Sequence, residues 1–202
     1  ALERDAENPS FRRGLAQNLL FSRQYDQALE EYQAAVQANP KDAEAYMRLS
    51  QIYRAQGKYG PARDSLDQAA EIDSSNLEIQ FNQVQLDELE GKLDDAIARI
   101  QQVLEASAKL GPNYYTVQEK TNRGIFLEKL GSLLADNNDY AGAEKAYEQM
   151  VELGGDTAAH GRVRLIEAYQ ENHEYDKALA SSAAALQENP KNREVAMARA
   201  VL

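Results

Sequence analysis

The residues that could do chemistry are few. The chain of 202 residues has no cysteine, which removes thiolate nucleophiles, disulfides and zinc-thiolate sites. Its two histidines, His160 and His173, are thirteen residues apart. On one helix that spacing separates them by roughly 20 Å at 1.5 Å per residue, too far to share a metal. Surface or packing roles are the plainer reading of both. The adjacent acids Glu30-Glu31 and Asp94-Asp95 read as solvated charge. Gly154-Gly155 is followed by no Lys-Ser/Thr pair, so it reads as a helix terminator and not as a phosphate loop. Ser181-Ser182 has no histidine near it in sequence. No set of these residues converges on catalysis, and none calls for a cofactor or a metal.

Charge narrows the partners. Lys and Arg number 22 against 33 Asp and Glu, a formal net charge of −11. Nucleic acids and anionic membrane surfaces attract basic patches, so both are disfavoured. No apolar run approaches the ~18 residues of a membrane span.

The elements that must carry any site are helices. Only five prolines occur, at Pro9, Pro40, Pro61, Pro112 and Pro190, and good helix formers dominate. A tag recurs, an aromatic or Leu followed three residues later by Ala: Tyr25 and Ala28, Tyr59 and Ala62, Leu93 and Ala96, Tyr140 and Ala143, Tyr175 and Ala178. The Ala-to-Ala steps are 34, 34, 47 and 35 residues. Thirteen residues before four of these alanines stands a leucine, namely Leu15, Leu49, Leu130 and Leu165. Asn39-Pro40 and Asn189-Pro190 close two of the units. Features held in register over five units mark a repeat architecture.

Each unit reads as two helices. In the second, Asp42 caps a helix running through Ala55, Gly57 turns the chain, and a second helix runs from near Tyr59 to about Ile72. Pro61 falls in the first turn of that helix, where a missing N–H costs little. Ala62 sits where two helices approach closely.

A helix-turn-helix unit of 34 residues with these tags resembles the tetratricopeptide repeat family. Its signature positions fall on Tyr46, Leu49, Ser50, Tyr53, Ala62, Leu66, Ala69 and Ser74 in unit two. Unit three departs from the pattern, with Gln80, Gln83 and Asp87 where the family prefers bulky residues. The resemblance implies an all-α fold, an α-solenoid of stacked units in a right-handed superhelix. One array is expected over residues 1–202, with units at about 9–42, 43–76, 77–110, 124–157 and 159–192. An insertion falls at about 107–123, and residues 193–202 begin a further or capping helix. Residues 1–8 read as the tail of a preceding helix, and the chain as a section of a longer protein. Val195, Ala196, Val201 and Leu202 are expected to pack on unit five.

The resemblance also implies where binding occurs: the first helices line a concave face. The groove positions singled out are Arg13, Gln17, Met47, Gln51, Arg54, Phe81, Gln85 and Glu128. Met47 and Phe81 read equally as partner anchors or as core. Some family members grip a terminal carboxylate with a Lys-Asn-Asn-Lys-Arg clamp. The matching positions here are Arg13, Gln17, Arg48, Glu78 and Asn82, and Glu78 replaces a required cation. A receptor of that type is disfavoured. The expected function is a non-enzymatic scaffold binding an unidentified peptide or protein surface in its groove. The alternative is an assembly segment that spaces domains or self-associates as a homo-oligomer.

In the insertion, the second helix of unit three is expected to reach Leu110 and stop at Gly111-Pro112. Thr116 and Glu119 form a capping box for a helix about two turns longer than usual. Tyr114 and Tyr115 sit at this projection, either sealing the junction or forming an exposed secondary contact.

Overall fold

The computed structural model describes residues 9–201. The expectations for residues 1–8 and for Leu202 lie outside them. The described residues form an all-α helical-repeat fold: eleven α-helices and one short 3-10 turn, without a strand. The chain divides into two compact units, with the boundary after Lys92.

The first unit carries α1 (Pro9–Phe21), α2 (Tyr25–Ala38), α3 (Ala43–Ala55), α4 (Tyr59–Ile72) and α5 (Leu77–Leu89). Local chemistry fixes the ends. The Asp42 carboxylate accepts from the Ala45 N–H at 3.0 Å, and the Asn76 side chain accepts from the Glu78 and Ile79 N–H groups. At the α3–α4 turn Gly57 takes φ +73° while the Lys58 N–H reaches back to the Tyr53 carbonyl at 2.8 Å. The same left-handed position recurs at Arg23, Gly91, Asn138 and His173, once at each turn between paired helices. His173 is therefore a turn residue.

Two clusters form the core of this unit. Ala16, Ala28, Tyr32, Ala45, Leu49 and Ile52 pack together under α1–α3. Met47, Ala62, Leu66, Ala69, Ile79 and Leu86 form the second under α3–α5. The tag alanines Ala28 and Ala62 are 0% exposed, as are Ala96, Ala143 and Ala178 in the other unit, which explains why the tag residue is small. Leu15 departs from the register: it is 41% exposed, and Ala16 carries the burial in α1. Asp87, standing where a bulky residue was expected, is buried. Arg63 of α4 donates to Asp87 at 2.6 Å and to both Glu90 oxygens at 2.9 and 3.3 Å, so the substitution is accommodated by an ion-pair cluster.

The second unit carries α6 (Leu93–Ala106), the 3-10 turn Pro112–Tyr114, α7 (Val117–Asp136), α8 (Tyr140–Leu153), α9 (Gly155–Glu171), α10 (Tyr175–Glu188) and α11 (Arg193–Ala200). α6 stops four residues short of Leu110. The Ser107 hydroxyl donates to the Val103 carbonyl at 2.8 Å and Arg123 donates to the Leu104 carbonyl at 2.8 Å, so terminal acceptors of the helix bond to side chains. α7 has the expected length, 20 residues against 13 in α3, and begins with the Thr116–Glu119 capping box. α9 starts earlier than the repeat register indicates. Gly154 at φ +77° and Gly155 at φ +60° reverse the chain at once, and α9 gains an extra first turn. Val195 is fully buried against Ile166, Ala178 and Ala185, with Ala198 beside it. Ala196 and Val201 are exposed instead of packed, because they lie off that face.

Three glycines of this unit mark close approaches. A Cβ on Gly161 would lie 2.8 Å from Met150 Cβ and 3.0 Å from the backbone of α8, and one on Gly124 would lie 2.6 Å from Thr157. Gly131 faces the buried Tyr147 ring in the same way. Burial pushes the Tyr147 phenol up to about 12, with nearby carboxylates adding to the effect.

Candidate functional site

In the first unit, the first helices of successive repeats present one face built from polar side chains. Arg13 of α1 lies 3.7 Å from Asp42 and 3.9 Å from Glu44. Arg48 of α3 lies 3.6 Å from Glu44, 3.0 Å from Glu78 of α5, and donates to Gln51 at 3.0 Å. Gln51 donates to Asn82 at 3.1 Å, and Asn82 donates to the Glu78 carbonyl at 2.8 Å. Arg54 donates to Gln85. These rungs join residues 30 or 31 positions apart, close to one repeat. The result is a hydrogen-bonded ladder across α3 and α5, with α1 joined to it through Arg13.

Of the groove positions read from sequence, Arg13 and Gln17 are exposed. Gln51, Arg54, Phe81 and Gln85 are half-buried on the same helices. Met47 is 2% exposed inside the second core cluster, so its core reading holds and it supports the face from below. Arg54 differs from the other arginines of the ladder. Burial lowers its pKa, only partly offset by Glu88, yet guanidinium remains charged at any ordinary pH. Its hydrogen-bond partner, Gln85, is neutral.

In the second unit Glu128 accepts from Arg164 of α9 through two nitrogens, at 2.7 and 2.6 Å. Arg164 also reaches Glu167 at 2.7 Å. Desolvation pulls the Arg164 pKa down, but hydrogen bonds to Glu167 and Glu128 outweigh it and leave it raised. These groups border a groove of about 420 Å³ that also touches Val163 and Met197. Arg164 was missed in the sequence reading. The signal was available: an acid and an arginine 36 residues apart, near one repeat length.

The insertion separates its two tyrosines. Tyr115 is half-buried; its hydroxyl accepts from the Lys109 N–H at 2.7 Å, and Lys109 and Arg123 lie over its ring at 5.6 and 5.5 Å. It seals the junction. Tyr114 is 63% exposed, beside the exposed Leu110 and Val117. Glu119 closes the capping box and bonds Lys109 at 2.7 Å. The lysine first, and Thr116 after it, hold the Glu119 carboxyl down at about 2.

His160 sits in the second turn of α9, and His173 beyond its far end. Among the described residues no group of three or more His, Cys, Asp or Glu is placed to hold a metal ion, and no helix is long and apolar enough to cross a membrane.

Comparison with known proteins bears on this arrangement. Residues 13–76 match the tetratricopeptide repeat family. The chain is 31% identical over 93 residues to Superkiller complex protein 3 of Homo sapiens, 46% of this chain and 6% of that protein. It is 37% identical over 79 residues to the protein O-mannosyl-transferase TMTC1 of Homo sapiens, 39% of this chain and 8% of the transferase. The chain thus spans well under a tenth of these relatives. Among solved structures, the tetratricopeptide-like repeats of a putative kinesin light chain from Podosopora anserina superpose with a TM-score of 0.74 at 19% identity, covering 93% of this chain and 98% of that one. MamA gives 0.69 at 17% identity, covering 94% and 96%. YrrB, described as a repeat protein with an unusual peptide-binding site, gives 0.65 at 18% identity, covering 98% and 95%. At these identities the structures establish the shared fold.

Proposed function

The chain belongs to the tetratricopeptide repeat family, and from that premise we propose that it is a non-enzymatic scaffold whose first-helix face binds a peptide or protein segment. The fold is one that generally serves protein–protein interaction. The observation that carries the finer reading is Arg54: a desolvated, permanently charged guanidinium on the groove face whose hydrogen-bond partner is a neutral amide. A carboxylate or carbonyl from a partner completes its coordination at little further desolvation cost. Gln51, Gln85 and Phe81 on α3 and α5 add amide donors and acceptors and one aromatic surface, and Arg13 and Gln17 extend the polar lining onto α1, while Glu128 with Arg164 forms a separate polar site in the second unit. Arrangements of this kind suit an extended backbone whose amides need partners. The transferase relative is matched over a small part of its length only, so its chemistry is not carried over.

The test is to capture a heterologous partner from an extract of the native source with the chain and to measure its binding to Arg54→Ala and Phe81→Ala. Each variant should stay helical and lose affinity by more than ~1 kcal/mol, the usual cost of truncating an interface anchor. Unchanged affinity in both moves the site off this face.

A further inference from the structure

We propose a second docking groove on the second unit, between α8 and α10, that takes an amphipathic helix carrying two cations four residues apart. This groove is distinct from the first-helix face and does not depend on it. Its volume is about 460 Å³. α9 contributes Leu165 and Arg162 to its floor; Val151 of α8 and Ala184 and Ala185 of α10 join Leu165 in an apolar strip, and Arg162 is held to the α10 side by its ion pair with Glu188. On α10 the lining residues are Ser181, Ala184, Ala185 and Glu188, an i, i+3, i+4, i+7 stripe of mainly small side chains. A trough between two helices with a small-residue wall matches the ridge of a third helix.

Charge decides what that helix carries. The α8 wall holds Glu148 and Glu152, both exposed, and among the described residues neither is in an ion pair. The α10 wall is different: Glu188 is neutralised by Arg162 at 2.5 Å. Two uncompensated carboxylates therefore stand one helical turn apart on one side only. The complementary occupant has small aliphatic side chains downward, Lys or Arg at i and i+4 toward α8, and uncharged residues toward α10. Nucleic acid and anionic lipid are repelled by the same wall.

The probe is a fluorescently labelled helical peptide of about 16 residues, comparable to the roughly 21 Å of α10 at 1.5 Å per residue. It carries an Ala/Leu stripe and an Arg pair at i, i+4, and its counterpart carries Glu at both Arg positions. Fluorescence anisotropy with the full chain should show binding of the Arg peptide and none of the Glu peptide. Reversing the wall with Glu148→Lys and Glu152→Lys should weaken binding at least ~10-fold. Asp94→Lys with Asp95→Lys changes net charge equally on exposed positions of α6 and should alter affinity less than ~2-fold. Ala184→Trp fills the trough while leaving its charges and should abolish binding. The proposal is overturned if the α6 pair weakens binding as much as the α8 pair, if the α8 reversal leaves affinity intact, or if the chain does not bind the Arg peptide. Should Ala184→Trp lose helicity, the comparison of the two charge reversals still decides.

Discussion

Arg63 and Asp87 allow the account of the irregular third repeat to be tested by magnitude. Asp87 is 2% exposed, and the Arg63 side chain is 19% exposed while bonding both Asp87 and Glu90. Removing one partner of a fully buried pair costs ~3–5 kcal/mol, chiefly because the other charge is left desolvated. Partial exposure of Arg63, and a further interaction that Asp87 retains, bring the expected cost of Arg63→Ala to about 2–3 kcal/mol. Replacing both, as Arg63→Met with Asp87→Leu, removes both charges from the contact in favour of apolar side chains and should return stability to within about 1 kcal/mol of the parent, or above it. Urea unfolding followed by far-UV circular dichroism gives the double-mutant cycle. Acid supplies an independent check. Hydrogen bonding to Arg63, ahead of the opposing effect of desolvation, lowers the Glu90 pKa in the folded state. A depressed carboxyl contributes stability above its unfolded value and loses it as pH falls through the folded one. The penalty of Arg63→Ala should therefore shrink on acidification below about pH 4. A cost under about 0.5 kcal/mol, or no coupling in the cycle, refutes the compensation argument.

Ala62→Leu should destabilise by ~1–3 kcal/mol in the same assay, since Ala62 is fully buried at a helix contact. Arg23→Gly should raise the thermal midpoint by relieving a left-handed backbone at φ +59°, with a net gain of about 0.5–1 kcal/mol after the added chain entropy of glycine. Tyr115→Phe should cost ~1 kcal/mol by deleting the acceptor of the Lys109 N–H, whereas Tyr114→Ser should leave unfolding within ~0.5 kcal/mol of the parent. If Tyr114→Ser instead destabilises as much as Tyr115→Phe, the division of roles between the two is wrong.

Helix limits were largely legible because repetition amplifies weak local signals. One alanine in a helix says little, but five in register point to five close contacts, and all five are fully buried. Asp42, Gly57 and the Thr116–Glu119 box worked because their effects are confined to one helix end. The α6 terminus was not legible, since Arg123, distant in sequence, bonds its last turn. The early start of α9 depended on two consecutive left-handed glycines, where one alone would have ended α8 without extending the next helix. On the first-helix face, the repeat register marked candidate positions, of which Met47 lies in the core, and did not show how the polar ones pair. Met47 and Gln51 share a helix, yet one faces the core and the other joins the ladder, and a spacing of four residues does not distinguish them. The ladder is a relation between repeats, visible only when residues about 31 apart are compared for complementary polarity.

Site-specific photocrosslinking locates the binding face most directly. Benzoylphenylalanine at Gln17 and at Gln85 reports the first-helix face, and the same group at Asp67 and Glu71 reports an exposed surface of α4. Illumination in an extract of the native source should join a single heterologous protein to the chain from Gln17 and Gln85 and not from Asp67 or Glu71. Adducts to that protein formed only from the α4 positions, or adducts only between copies of the chain, would contradict a scaffold that binds through its first helices.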